Sequence, residues 1–262
     1  MITSARVFFV GGLTSYRALF TWLSPWILIP TFIVTPLFQV LFFAYIGRNA
    51  GVADDRFFVI GNAVQYVAIP CLFAMGNTIG NERRFQTLGL LLVTPARRIP
   101  LFLGRSLPVI ANGVAVSVVA LVAGAALLRV HVALVTVPPL LLCVVVASFS
   151  CTGLGLVTAA LALRVRETAV LVNIVFGILL IFCGVNVPLA SLPAWMRSVA
   201  DWLPLTHSIA AARRASVGAG FAAFRGDLGD EVLLGLGFVA LGLLLLAYFE
   251  RESRRRATLE VF

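Results

Sequence analysis

The groups with which this chain could do chemistry are 11 acidic residues, two histidines and four cysteines, and their spacing assembles none of the usual reactive sets. There is no HExxH pair, no two carboxylates are placed to share acid and base work, and His131 and His207 stand far apart without an acidic companion. Neither a metal site nor a catalytic pair is expected. Cys71, Cys143, Cys151 and Cys183 each fall within an apolar run and form no CxxC pair, so they read as buried free thiols acting as small hydrophobes. A phosphate-binding loop of the GxxxxGKS or GxxxxGKT kind is excluded outright, because the sequence contains no lysine. Any nucleotide hydrolysis that drives this protein belongs to another chain, and no catalytic residue or cofactor is expected on this one.

What remains is a set of neutral amides in apolar surroundings: Gln39, Asn62, Gln65 and Asn173, with Asn77 and Asn112 beside them. In a membrane such groups serve either as hydrogen-bonding glue between helices or as the lining of a translocation path. Gln39, Asn62, Gln65 and Asn173 are the candidates for a path. Phe38, Phe42, Phe73 and Phe176 read as lipid- or core-facing rather than as an aromatic binding cluster. The acidic residues nearest the apolar runs, Glu82, Glu167, Glu231 and Glu250, are expected at span ends, which argues against a carrier coupled to protons or sodium.

The elements that must position these residues are membrane spans. Of the 262 residues 61% are hydrophobic and 12% charged, against about 25% charged in a soluble domain. Six apolar runs predict spans at about 22–46, 57–80, 106–128, 138–162, 168–190 and 232–249, forming one all-α membrane domain over residues 1–262. Pro138-Pro139 marks the start of the fourth, since proline is accepted in a first turn. All 20 basic residues are arginine, and 13 of them fall on the side that also holds both chain ends, which predicts N-in, C-in topology. The net charge of +9 is spread over span-flanking loops, so anionic lipid headgroups rather than nucleic acid are the expected partner. Residues 1–20 alternate Arg6 and Arg17 with aromatics, as an interfacial helix would, and the first apolar run is too long for a cleaved leader.

One stretch between spans is built rather than merely connecting. Asn81 can cap a helix over about 81–94, Glu82 suits its positive end, and Thr94-Pro95 stops it. At 100° per residue Phe85, Leu88 and Leu92 fall within about 60° of one another, with Arg83, Gln86 and Thr87 broadly opposite. Such an apolar stripe can enter a groove on another protein, or lie against the membrane.

This stretch resembles the cytoplasmic coupling helix of the ABC-2 type permeases, the membrane subunits of a class of ATP-binding-cassette exporters that includes multidrug and antibiotic exporters. Their loop between spans two and three reads roughly E-R-x-x-G-T-L-x-x-L-x-x-T-P, matched here from Glu82 to Pro95, with Gln86 in place of the usual glycine and Gly89 where an acidic residue is common. Leu203-Pro204-Leu205-Thr206-His207, followed by Arg213, is similar to the family's N-P-L-T segment before the sixth span, with Leu203 for the asparagine. The resemblance implies a six-helix, N-in permease with an interfacial N-terminal helix and short external re-entrant helices over about 184–217, carrying Pro204, Leu205, Thr206 and Arg213. It implies docking to an ATPase through Glu82, Arg83, Phe85, Thr87, Leu88, Leu91, Leu92, Thr94 and Pro95. It further implies two cytoplasmic ATPase subunits carrying ATP and Mg, a second permease, identical or paralogous, and a multi-pass place in the inner or plasma membrane of a bacterium. The expected function is export of a hydrophobic or amphipathic molecule. The competing reading from the residues alone is an ATP-independent carrier or facilitator.

Overall fold

A computed structural model describes residues 30–84, 98–165 and 167–256, and they are almost entirely helical, with no strand among them. A π-helical turn, Pro30–Val34, runs into α1 (Thr35–Asn49). Then come α2 (Asp55–Gln65), α3 (Ala68–Arg84), α4 (Arg98–Leu127), α5 (Val137–Leu161) and α6 (Thr168–Phe182). Two short helices, α7 (Ala194–Ala200) and α8 (Thr206–Ser216), precede the long α9 (Arg225–Arg256).

Among the described residues, four stretches are long and apolar enough to cross a membrane: Asp55–Gly76, Leu103–Leu127, Leu134–Leu161 and Arg225–Phe249. The first of these contains a turn at Tyr66–Val67 between α2 and α3, where the sequence predicts one helix over 57–80. Pro70 accounts for it: without an N–H, it cannot bond the Tyr66 carbonyl four residues back. The run expected to be a fifth span over 168–190 is helical only through Phe182, or 15 residues, which is about 22 Å at 1.5 Å per residue. Gly184, at φ +70°, turns the chain away, and Pro188 follows. Of the first expected span, only the part from Pro30 onward is described.

Local signals set several boundaries. Pro138 lies in the first turn of α5, as expected. Asp54 stands in extended conformation before α2, and its carboxylate accepts from the Phe57 N–H at 3.1 Å. Across the same turn Arg48, at the end of α1, pairs with Asp55, which raises the guanidinium pKa through a hydrogen bond and charge attraction. The helix α3 continues through Asn81, Glu82, Arg83 and Arg84, so Asn81 lies within a helix instead of opening one. Residues 85–97, including Phe85, Thr87, Leu88, Leu91, Leu92, Thr94 and Pro95, are outside the described residues, as is the N-terminal segment 1–29.

The core is built around α5, which packs against α9, α3, α8 and α4. Its sequence allows this because glycines face two neighbours. A Cβ on Gly155 would meet the Cys71 carbonyl of α3 at 2.7 Å, and one on Gly153 would meet the Gly235 carbonyl of α9 at 2.8 Å. Small residues at such crossings let helix backbones approach where water supplies no driving force. Gly155→Val forces rigid backbones apart and is expected to cost about 3 kcal/mol, measurable as a lowered unfolding temperature of the detergent-solubilised protein. The four cysteines are all free and buried in this interior. Phe38 and Phe42 face outward from α1, whereas Phe73 and Phe176 are partly buried against the core.

Candidate functional site

Two helices and one turn bring the polar residues together. Gln39 of α1 and Asn62 and Gln65 of α2 form a single cluster with Tyr66 and Asn186. The Gln39 amide donates to Asn62 Oδ1 at 3.0 Å and Gln65 Oε1 at 2.8 Å. The Tyr66 hydroxyl donates to Gln39 Oε1 at 2.9 Å. Asn62 Nδ2 donates both to the Phe58 carbonyl one turn back and, at 2.8 Å, to Asn186 Oδ1. Asn62, Gln65 and Tyr66 are fully buried, while Gln39 and Asn186 reach the surface in part.

The geometry follows from the sequence. Asn62 and Gln65 are three apart and so share a face of α2, and Tyr66, four beyond Asn62, extends that face. Gln39 lies on the facing side of α1, next to buried Val40. Two amide donors, Gln65 Nε2 and Asn186 Nδ2, are buried without a partner among the described residues. The cluster therefore keeps unused capacity for an acceptor oxygen.

Asn173, the fourth path candidate, is not brought into the cluster. It is exposed on α6, and its amide donates to the Ala169 carbonyl of its own helix at 2.8 Å. Periodicity places a residue on a helix face; it does not say which face meets which neighbour.

Short elements follow α6 in the chain and precede α9. Pro204, Leu205 and Thr206 are buried at the start of α8, with Leu205 at φ +81°. The Cys183 thiol donates to the Pro204 carbonyl at 3.3 Å. Arg213, on α8, binds three backbone carbonyls: Gly184 and Val185, each at 2.8 Å, and Phe57 at 3.4 Å. Its guanidinium also lies over the Phe57 ring, 3.4 Å from the centroid. Burial pushes its pKa down to about 9, with Asp54 opposing the shift, so it stays cationic at neutral pH. The planar fork of donors suits the bridging of adjacent carbonyls. Gly61 makes room for this contact, since a Cβ there would meet Arg213 Nη2 at 2.6 Å. Arg213 thereby holds the Gly184–Asn186 turn against α2, and Asn186 against Asn62.

Glu231 overturns one expectation. The sequence places it at a span end, but α9 begins at Arg225, so Glu231 lies inside the helix with 0% exposure. Its carboxylate accepts from the Leu205 N–H at 2.7 Å, the Ser208 N–H at 3.0 Å and the Ser150 hydroxyl of α5. A signal for this existed. Leu228, Glu231, Gly235, Gly242 and Leu246 are all buried and follow the three-and-four spacing of one helix face. No group of three or more His, Cys, Asp or Glu able to hold a metal occurs among the described residues.

The arrangement thus offers hydrogen bonding and shape: a cluster of neutral amides and, beside it, a turn and a short helix anchored by Arg213 and Glu231. That suits conduction or binding of a passenger. Among known proteins, no curated protein matches the chain. The family model described as ABC-2 type transporter matches residues 13–216. That match covers most of the sequence, including the amide cluster, the Glu82–Pro95 stretch and the Arg213 helix. With its apolar spans, this membrane protein belongs to the ABC-2 type transporter family.

Proposed function

We propose that the chain is the permease subunit of an ATP-driven exporter that moves a hydrophobic or amphipathic molecule out of the cell. Its energy comes from two cytoplasmic ATPase subunits that carry ATP and Mg, and it pairs with a second permease, identical or paralogous. The observation that carries this reading is the family match across residues 13–216, in a sequence with no phosphate-binding lysine of its own. Permeases of this family normally work with an ATPase partner. The proposed layout is six spans with both ends in the cytoplasm of a bacterial cell, with the ATPase docking along Glu82–Pro95.

On this reading the Gln39–Asn62–Gln65 cluster lines part of the path, its spare donors meeting acceptor oxygens on the passenger as it crosses. Asn62→Leu removes the residue to which both Gln39 and Asn186 bond. It is expected to lower ATP-driven transport about tenfold, from the loss of one to two kcal/mol of interaction at that point, while ATP hydrolysis by the assembly continues. Flux and hydrolysis measured on the same reconstituted preparation check this. Equal loss of both would assign the cluster to structure instead.

A further inference from the structure

Glu231 is a buried acid that the transport reading leaves without a task. It sits on a membrane-spanning helix at 0% exposure, where a carboxylate is costly unless its oxygens are matched by donors. All three of its donors come from other elements. The Leu205 N–H reaches Oε1 at 2.7 Å and the Ser208 N–H reaches Oε2 at 3.0 Å. Leu205 precedes α8 and Ser208 is its third residue, so the carboxylate of α9 satisfies two free N–H groups at the start of a different helix. The Ser150 hydroxyl of α5 completes the set. A second tie between the two helices, Arg214 Nη1 to Asp227 at 2.5 Å, lies at the surface.

We infer that Glu231 is a positioning residue that fastens the external helix α8 to the bundle, and that through Arg213 it holds Asn186 over the amide cluster. The route is continuous. Glu231 grips the start of α8, Arg213 farther along α8 grips the carbonyls of Gly184 and Val185, and Asn186 next in the chain accepts from Asn62. Releasing the first contact loosens the last. The consequence for export rests on the proposal that the cluster lines the path; the fastening itself is read from the contacts alone.

Glutamine has nearly the volume of glutamate but only one acceptor oxygen. In Glu231→Gln its NH2 must therefore face either the Leu205 or the Ser208 N–H, donor against donor. A space-filling role would survive that exchange; a fastening role would not. The chain carries its own reporter in Cys183, which is fully buried with its thiol bonded to the Pro204 carbonyl at 3.3 Å. Cys71, Cys143 and Cys151 are internal controls, all buried in α3 and α5.

The experiment is N-ethylmaleimide labelling of the full-length protein in detergent micelles, with the modified peptides quantified by mass spectrometry. In Glu231→Gln, Cys183 labelling is expected to speed up about tenfold or more, as loss of a charge-assisted bond implies, with Cys71, Cys143 and Cys151 unchanged. Ser150→Ala keeps both backbone donors matched and is expected to give a smaller rise at Cys183 alone. A Cys183 rate in Glu231→Gln within about twofold of the parent would overturn the inference. So would a rise at all four cysteines together, which would give Glu231 a role in the whole fold. Labelling makes no reference to transport, so this result stands or falls independently of the proposed path.

Discussion

Replacing Leu88 and Leu92 together with glutamate is expected to abolish ATP-driven transport, by at least about 100-fold, while membrane insertion stays intact. At helical spacing Phe85, Leu88 and Leu92 would share one narrow apolar face, in a stretch flanked by Glu82, Arg83 and Arg84 on one side and Arg97 and Arg98 on the other. If the stripe enters a groove on an ATPase subunit, each introduced carboxylate must be desolvated against an apolar wall, at a cost of several kcal/mol. Two such costs exceed the roughly 2.7 kcal/mol that separates full from hundredfold-weakened binding. The change is read as loss of ATPase subunits from the purified assembly, or as hydrolysis without transport. If the stripe only lies against the membrane, assembly and transport survive, and normal transport by this variant would remove the docking proposal.

The second large effect is expected at Arg213. Arg213→Ala strips hydrogen bonds from the carbonyls of Gly184, Val185 and Phe57 and removes the cation from the Phe57 ring. Unsatisfied buried acceptors cost about 1–3 kcal/mol each, so a total loss of about 3 kcal/mol or more is expected. Thermal unfolding in detergent micelles measures it. Arg213→Lys restores the charge without the planar fork and recovers only part of the loss. A lysine variant as stable as the parent would show that the charge alone suffices, and that the two-carbonyl bridge does not hold the turn.

The parts of this protein that were legible in its sequence are those fixed by composition and local rules. Apolar length shows a membrane protein and Pro138 marks the start of α5, whereas the run expected to continue to 190 ends as a helix at Phe182, before Gly184 and Pro188. The polar cluster was half legible. The three-residue spacing of Asn62 and Gln65 puts them on one face, but their meeting with Gln39, 23 residues or more away, depends on how α1 packs on α2. Asn186 carries no such signal, because it sits in a turn whose path is set by Arg213 through the carbonyls of Gly184 and Val185. Asn173 shows the converse: an amide in an apolar run that packing leaves on the outside. Glu231 departs from the span-end expectation because a helix need not begin where the charges end. The helix instead begins at Arg225 and carries the acid inward on its buried face.

ATP hydrolysed on a separate chain is proposed to drive this permease. The most direct measurement isolates the full-length protein from its native membrane, identifies what accompanies it, and assays the reconstituted material for transport with ATP or with an ion gradient. ATPase subunits are expected to co-purify, and transport to require ATP hydrolysis. Isolation without any ATPase, together with transport under an ion gradient alone, would contradict it.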